Sequence, residues 1–123
     1  MSVLVTDKGF QPLPELPATG VADLAHTDDP AALDLAGLTL IRVHVPAFSD
    51  GRGFTIGRRL RMLGYTGELR AVGPVIADQY PMARRVGFDA VEIPDEIAAR
   101  QPEAQWLNRA NWKAHDYQSR LKA

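Results

Sequence analysis

Three glycines and one arginine within seven residues form the most chemically suggestive stretch of this chain. Gly51, Gly53 and Gly57 surround Arg52, after a predicted strand and at the start of a predicted helix. The first backbone N–H groups of a helix have no partner within the helix, so they attract an anion. Glycines let the backbone approach such a group closely, and a guanidinium binds an oxyanion through two hydrogen bonds. The pattern is typical of an anion-binding turn that depends on Arg52.

The same stretch also has a purely structural interpretation. Asp50 can cap the first turn of the helix, and its carboxylate can pair with Arg52 and leave no room for a ligand. Gly51 and Gly53 then form only the turn, and Gly57 lets the helix lie close to the sheet. The sequence leaves both interpretations open.

No nucleotide cofactor and no metal ion is expected. In dinucleotide-binding folds the glycines follow the strand directly, and an acid after the second strand binds the ribose. Here residues 46–50 separate the glycines from the strand, and residues 71–74 are Ala-Val-Gly-Pro. The chain has no cysteine and only three scattered histidines, which excludes thiolate zinc sites and cysteine-ligated iron–sulfur clusters. We expect a colourless protein that binds neither flavin nor a nicotinamide nucleotide.

Alternating strands and helices must position these residues. LTLIRVHV, interrupted only by Arg42 and His44, predicts a strand from residue 38, ELRAVG predicts a second and VGFDAVEIP a third. Helical patterns and short connections between them indicate right-handed βαβ units with a parallel sheet. The prediction is a small α/β domain of βαβαβα order, like part of a β/α barrel or an open Rossmann-like sheet.

Three helices are predicted within this order. The first runs from about residue 50 to 63, the second begins at Pro74, and the last covers about residues 102–121. Pro81 removes a helical hydrogen bond and should kink or split the second helix. Leu107 begins the apolar stripe of the last helix.

The chain is expected to be one domain with three parts. Residues 1–37 hold a strand and turn, a proline-rich stretch and a short helix, residues 38–101 form the βαβαβ core, and residues 102–123 form the C-terminal helix. A length of 123 residues with 46% hydrophobic content is enough for a core. No apolar run is long enough to span a bilayer and no secretory signal is visible, so we expect a cytoplasmic protein of bacterial type.

Polar residues from three segments are expected at the carboxyl ends of the predicted strands. These ends meet at one edge of a parallel sheet, where ligands bind in open α/β folds. Polar residues are also common there without any function. The ligand-binding candidates, with no catalytic residue assigned, are Asp50, Gly51, Arg52, Gly53, Asp78, Gln79 and Glu92.

Charge is unevenly distributed along the chain. Residues 1–40 hold six acids and one lysine, whereas residues 52–85 hold seven arginines and two acids. The arginines could lie on solvated helix faces, or they could form a basic patch that attracts an anion or an acidic partner. The overall formal charge of −1 argues against a general nucleic-acid binder.

Four motifs resemble the bacterial family called domain of unknown function 934. They are FSDGRG at residues 48–53, GYTGELRAVG at 64–73, DQ at 78–79 and GFDAVEI at 87–93. Pro74 and Val86 depart from the family pattern, which has Asp and Cys there, so a role of either residue does not transfer. The resemblance implies an association with assimilatory sulfite reduction, and sulfite reductase or another sulfur-assimilation protein as a partner. It implies no established reaction.

Functions of different classes remain open. We expect an accessory protein of sulfite reduction that binds a protein partner or a small anion at the strand ends. The alternatives are a small enzyme acting on a phosphorylated or sulfur-oxyanion substrate, or a nicotinamide-dependent reductase, so the chain is not assigned as an enzyme. Three short parallel strands leave two sheet edges, which the N-terminal strand or a second subunit should cover. A homodimer with Trp112 near its contact is expected, and neither nucleic acid nor a membrane is expected as a partner.

Overall fold

The computed structural model describes residues 2–46 and 51–110 as an α/β domain built on a mixed sheet. The six strands lie in the order β2-β1-β6-β5-β4-β3. Strands β3 to β6 are parallel, and β1 pairs antiparallel with both β6 and β2. The α/β prediction is confirmed, in a sheet larger than expected. The strands are β1 (Ser2–Thr6), β2 (Gly9–Pro12), β3 (Val21–Ala25), β4 (Leu40–His44), β5 (Glu68–Val72) and β6 (Ala90–Pro94).

The helices pack on one face of this sheet, so the described part of the chain has two layers. Alternate strand residues such as Ile41, Leu69 and Val91 point toward the helices and are fully buried there. The other face carries charged side chains, described below. The helices are α1 (Arg52–Met62), α2 (Tyr80–Val86), α3 (Asp95–Arg100) and α4 (Glu103–Arg109). No helix among the described residues is long and apolar enough to cross a membrane.

The N-terminal strand and turn form a β-hairpin that extends the sheet. β1 covers the edge of β6, in the role expected for an N-terminal strand. Asp7 in the hairpin turn accepts hydrogen bonds from the Tyr80 hydroxyl and from the Arg84 guanidinium. The hairpin is thereby tied to α2. Strand β3 was not predicted, and the short helix expected before residue 37 is a single 3-10 turn at Pro30–Ala32, capped by Asp29.

The second predicted helix begins later than expected. Pro74 does not start it, because Val75 is first buried in the core while its N–H bonds back to the carbonyl of Gly73. A 3-10 turn at Ala77–Gln79 follows, and α2 starts at Tyr80 with Pro81 in its first turn. The kink or split expected at Pro81 is therefore absent, because this proline lies in the first turn of α2, where it disrupts no helical hydrogen bond.

The apolar stripe predicted for the last helix is wrong at its first position. Leu107 is 44% exposed, whereas Trp106 is fully buried in α4. Trp106 contacts Phe10 and Tyr80 edge-on and donates its indole N–H to the carbonyl of Gln101 at 2.8 Å. The large aromatic ring thus determines which face of α4 is inward. The rest of the predicted helix, with Trp112, lies outside the described residues.

Candidate functional site

The turn at the start of α1 depends on one of its first two glycines. Gly51 is the exposed N-cap residue, and a Cβ added there would contact nothing within 4 Å. A Cβ on Gly53 would lie 2.7 Å from Cγ1 of Val45, so only glycine lets this turn lie against the end of β4. Arg52 is the exposed first residue of the helix. Asp50 lies outside the described residues, and its capping role stays a prediction.

The third glycine has a structural role. Gly57 faces the core in the middle of α1, where an added Cβ would lie 2.5 Å from the ring of Phe88. The glycine allows close packing as expected, but its close neighbour is Phe88 in the connection before β6 and not a strand of the sheet.

The candidate residues after β5 are engaged within the chain. Asp78 forms an ion pair with Arg109 of α4. The side-chain oxygen of Gln79 accepts a hydrogen bond from a backbone N–H three residues earlier. The backbone N–H of Ala77 donates to Gln101 at 2.6 Å, so the segment around α3 and α4 packs against this loop. This part of the carboxyl edge is occupied by intramolecular contacts.

Glu92 lies in the middle of β6 rather than at its end, on the sheet face opposite the helices. It is only 2% exposed. Its two carboxylate oxygens accept hydrogen bonds from Arg42 at 2.8 and 2.9 Å, and one also accepts from Arg70 at 3.3 Å. Glu92 therefore belongs to the interior of an ion-pair network, apart from Asp78 and Gln79.

This network extends across the four parallel strands. Arg42 and Arg70 are register neighbours on β4 and β5, where two like charges would repel, and Glu92 bonds to both. Hydrogen bonding to Glu92 raises the pKa of Arg42, although burial opposes the shift. The network thus pairs three carboxylates with two guanidiniums. We call this set of residues the charged sheet face: Asp23, Arg42, Glu68, Arg70 and Glu92.

A histidine adjoins the exposed end of the charged sheet face. Nε2 of His44 lies 2.8 Å from Oδ1 of Asp23, the oxygen that also accepts from Arg42. Both partners of the His44–Asp23 pair are about half exposed. A carboxylate that orients a solvent-accessible imidazole is the arrangement found in general acid–base catalysis.

Sequence reasoning missed this face, although its signal was present. Arg42 and His44 are two residues apart, as are Glu68 and Arg70. Side chains alternate between the faces of a strand, so this spacing places each pair on one face. These charged residues mark a second face of the sheet. The sequence pattern had instead suggested that Arg42 and His44 were interruptions in a buried strand.

Three of the seven arginines in residues 52–85 hold the fold together. Arg61 donates to three backbone carbonyls and to Asp89, and it bridges the loops before β5 and β6. Arg84 donates to the carbonyl of Phe88 and to the hairpin turn, and Arg70 belongs to the charged sheet face. The remaining four are exposed on helices: Arg52, Arg58, Arg59 and Arg85.

Other polar clusters in the described part of the chain are modest. Across residues 2–46 and 51–110, no three His, Asp or Glu side chains come together in a group that could hold a metal ion. One pocket of about 220 Å³ lies beside the 3-10 turn after β3. Its two carboxylates accept hydrogen bonds from backbone N–H groups, so they complete the turn. The pocket is lined by Leu24, Asp28, Asp29, Ala32 and Leu33.

Together these features define a two-layer α/β domain with one sheet face covered by helices and the other crossed by ion pairs. The chain belongs to the family described as "Bacterial protein of unknown function (DUF934)", whose sequence model matches residues 20–123. The family resemblance drawn from four motifs is thereby confirmed. The β1–β2 hairpin precedes the matched residues. No curated protein and no solved structure matches the chain.

Proposed function

We propose that this protein is an accessory protein of sulfite reduction, which binds a protein partner and performs no chemistry of its own. The observation that carries the proposal is the engagement of the candidate carboxylates. Asp78 is paired with Arg109, and Glu92 is held by two guanidiniums. Glu92 is buried between its two arginines, so it is not accessible to act as a general base on a bound substrate. The link to sulfite reduction comes from the family resemblance.

The partner under this proposal is sulfite reductase or another sulfur-assimilation protein. The test is binding of purified sulfite reductase from the source bacterium to the immobilised full-length chain, followed by biolayer interferometry. We expect saturable binding that an immobilised unrelated α/β protein of similar charge does not show. A folded chain that leaves sulfite reductase unbound at tens of micromolar would contradict the proposal.

A small enzyme is the second candidate, and the His44–Asp23 pair favours it. The pair is solvent-accessible and Arg42 fixes the carboxylate, as a general base on a phosphorylated or sulfur-oxyanion substrate would require. The test is hydrolysis of phosphate and sulfate esters by the wild type, His44→Ala and Asp23→Asn. Turnover that both substitutions abolish would replace the accessory proposal with an enzymatic one. We expect no turnover above the buffer control.

The accessory protein could bind a small anion at the start of α1 in place of a protein partner. Arg52 and the N-terminal N–H groups of an 11-residue helix favour an oxyanion. Sulfate or sulfite at tens of millimolar should then raise the melting temperature of the wild type more than that of Arg52→Lys. Equal shifts in both proteins would assign the effect to general salt stabilisation.

Two further expectations belong to the proposal. One is a cytoplasmic location, which fractionation of the source cells would test. The other is a homodimer, for which light scattering at tens of micromolar should give twice the mass of the chain. The β1–β2 hairpin already covers the β6 edge, so the dimer contact has to lie elsewhere.

A further inference from the structure

The two edge strands of the sheet, β2 and β3, are protected to different degrees. On β2, the backbone groups of Phe10 and Pro12 point away from β1. The N–H of Phe10 donates to Oε2 of Glu103 in α4 at 2.8 Å, and proline has no N–H. Across Gly9–Pro12, no outward N–H is therefore left to donate to a further strand.

The edge of β3 is open to another strand. The carbonyl of Gly20 accepts a hydrogen bond from the first residue of β4, and bonding directions alternate along a strand. The backbone groups of Val21, Asp23 and Ala25 therefore point away from β4. Asp28 satisfies those of Ala25, through its carboxylate at 2.7 Å and its own N–H at 3.0 Å. Within residues 2–46 and 51–110, the outward N–H and C=O groups of Val21 and Asp23 have no hydrogen-bond partner.

The pocket described above adjoins this open edge on the helix side of the sheet. Leu24 of β3 forms one wall, and the 3-10 turn after β3 forms the rest. None of the five lining residues belongs to β4 or to α1, which places the pocket at the margin of the sheet. Asp28, Asp29 and Ala32 are exposed, so the pocket opens to solvent. Its volume of about 220 Å³ gives room for one apolar side chain.

The exposed end of the charged sheet face lies beside the same edge. Asp23 accepts hydrogen bonds from Arg42 and His44 with a single oxygen, Oδ1, and its side chain is 48% exposed. Its Oδ2 makes no hydrogen bond within the described part of the chain. The charged sheet face has three carboxylates for two guanidiniums, so it keeps an unbalanced negative charge. A basic side chain on an added strand, next to Asp23, would balance that charge.

Protection from aggregation accounts for only part of this arrangement. A short edge strand with a charge at its centre resists pairing with another chain, and β3 has five residues with Asp23 in the middle. That explanation does not account for the adjoining pocket. It also leaves the contrast with β2 unexplained, where Glu103 satisfies the outward N–H.

A second copy of this chain fits the edge poorly. The two-fold pairing that engages all the open groups joins Val21 of each copy to Asp23 of the other. Gly20 then lies opposite Leu24, so no side chain enters the pocket. A pairing centred on Asp23 sets two carboxylates opposite each other, which is destabilising. The edge and the pocket together therefore favour a segment of a different protein.

We propose that β3 binds an extended segment of a partner protein as a further strand of the sheet. Successive side chains of a strand point to opposite faces. An apolar residue of the segment therefore enters the pocket beside Leu24, while the adjacent basic residue pairs with Asp23. Backbone hydrogen bonds supply affinity and the two side chains supply specificity. The proposal rests on the proposed function for the existence of the partner, and it adds the site and the chemistry of the bound segment.

The experiment compares variants of the full-length chain, each checked for folding by circular dichroism and thermal melting. Val21→Pro removes an outward N–H, and proline is tolerated at the first residue of an edge strand, so this variant keeps the fold. Val21→Ala retains the N–H and shows the effect of the side chain alone. Ala32→Phe fills the pocket from its exposed wall. Glu15→Pro, in the exposed stretch before β3, is the matched proline control.

Two probes separate this proposal from the proposed function. The first is purified sulfite reductase from the source bacterium, and the second is a short synthetic peptide of alternating lysine and leucine. We expect Val21→Pro and Ala32→Phe to weaken binding of each probe about tenfold, Val21→Ala about twofold at most, and Glu15→Pro not at all. A peptide with methylated backbone nitrogens should not bind the wild type. Binding of the unmodified peptide should slow amide hydrogen exchange at Val21 and Asp23.

Each outcome decides one of the two claims. If sulfite reductase binds the wild type, Val21→Pro and Ala32→Phe equally, the accessory function stands and the β3 site is overturned. If only the peptide binds, with the expected losses, the site stands and sulfite reductase is the wrong partner. If neither binds, both claims fail.

Two further results would overturn the assignment of the edge to a partner segment. If Val21→Pro does not fold, the methylated peptide carries the same test on the wild type, and equal binding of both peptides would exclude strand addition. A wild-type dimer in light scattering that Val21→Pro converts to a monomer would assign the β3 edge to a second copy of the chain.

Discussion

Glu92 receives hydrogen bonds from two guanidiniums while almost none of it is exposed to water. A carboxylate can stay charged in such a place only when it is paired, because an isolated buried charge is strongly unfavourable. Arg42 and Arg70 would repel each other as register neighbours without this carboxylate between them. The charge of Glu92 is therefore a condition for the sheet to carry both arginines on one face.

Neutralising this carboxylate should destabilise the protein. In Glu92→Gln the two guanidiniums lose their shared counter-charge, and loss of one partner of a buried ion pair costs about 3–5 kcal/mol. We expect the free energy of unfolding in urea to fall by about 3 kcal/mol. Glu15→Gln, at an exposed position between β2 and β3, is the matched control and should change it by less than about 0.5 kcal/mol. A similar stability of the two variants would mean that Glu92 is dispensable.

Two buried tyrosines give the protein a sensitivity to high pH. Burial and the hydrogen bond to Asp7 raise the pKa of Tyr80 well above its usual value of 10.0, and burial raises that of Tyr65. Above pH 10 the unfolded chain loses these protons while the folded chain keeps them, so stability falls as pH rises. Each tyrosine contributes a slope of at most about 1.4 kcal/mol per pH unit. Urea unfolding of Tyr80→Phe between pH 9 and 11 should show a shallower decline than the wild type, and an equal decline would assign the effect to other groups.

The sequence could supply the identity of a charged residue but not its partner. Glu92 was predicted at a strand end because the end of the strand was set by Pro94 alone. Its pairing with Arg42 crosses β5, and a contact between residues 50 positions apart has no local signature. The His44–Asp23 pair was hidden for the same reason, since β3 itself was not predicted.

At the scale of elements, the packing of α1 against the connection before β6 depends on glycine. Gly57 brings the helix so close that an added Cβ would lie 2.5 Å from the ring of Phe88. Alanine has the higher helix propensity, so packing and propensity oppose each other at this position. Close packing prevails in the native sequence.

Gly57→Ala should therefore destabilise the protein despite the better helix former. Overpacking costs typically 1–3 kcal/mol, and the gain in propensity returns about 1 kcal/mol, so we expect a net loss of about 1–2 kcal/mol. Gly51→Ala is the control, since an added Cβ there contacts nothing within 4 Å, and it should stay within about 0.5 kcal/mol of the wild type. Thermal unfolding followed by circular dichroism measures both. A stabilised Gly57→Ala protein would show that α1 can shift away from the sheet.

Elements with a strong period were predictable, and those set by tertiary contacts were not. The β-branched run before Pro46 and the helical spacing in α1 identified their elements from local pattern. β3 is a five-residue strand of moderate hydrophobicity with Asp23 at its centre, so it depends on pairing with β4. Trp106 and Leu107 are adjacent apolar residues, so the sequence does not show which of the two faces the core. The contacts of Trp106 with Phe10 and Tyr80 place the tryptophan inward. Long-range packing decided these cases.

At the scale of the whole molecule, the β1–β2 hairpin completes a sheet whose other strands all follow it in sequence. It covers the edge of β6, contributes Phe10 to the packing of Trp106 and ties its turn to α2 through Asp7. An uncovered strand edge is a template for pairing between chains. The hairpin thus protects the domain from association through β6.

Deleting residues 2–12 should make the protein aggregate. The deletion exposes the β6 edge and removes the aromatic contact of Trp106. Size-exclusion chromatography with light scattering should show assemblies that grow with concentration, together with a lower melting temperature. Leu13→Ser/Leu16→Ser, at exposed positions just after the hairpin, should elute like the wild type. A deletion variant with the wild-type elution and melting temperature would contradict the protective role.

The same hairpin has a consequence for synthesis on the ribosome. Val5 pairs with Val91, which is translated more than 80 residues later. At 5–20 residues per second, the hairpin waits roughly 4–17 s for its partner strand to be made. An isolated two-stranded hairpin is marginal in water, so during this interval the nascent chain carries Val3, Val5 and Phe10 without their final cover. The β1–β2 hairpin therefore leaves the ribosome first but can dock on the sheet only after β6 has been made. During this interval, nascent chains on neighbouring ribosomes are most able to pair with one another through their hairpins.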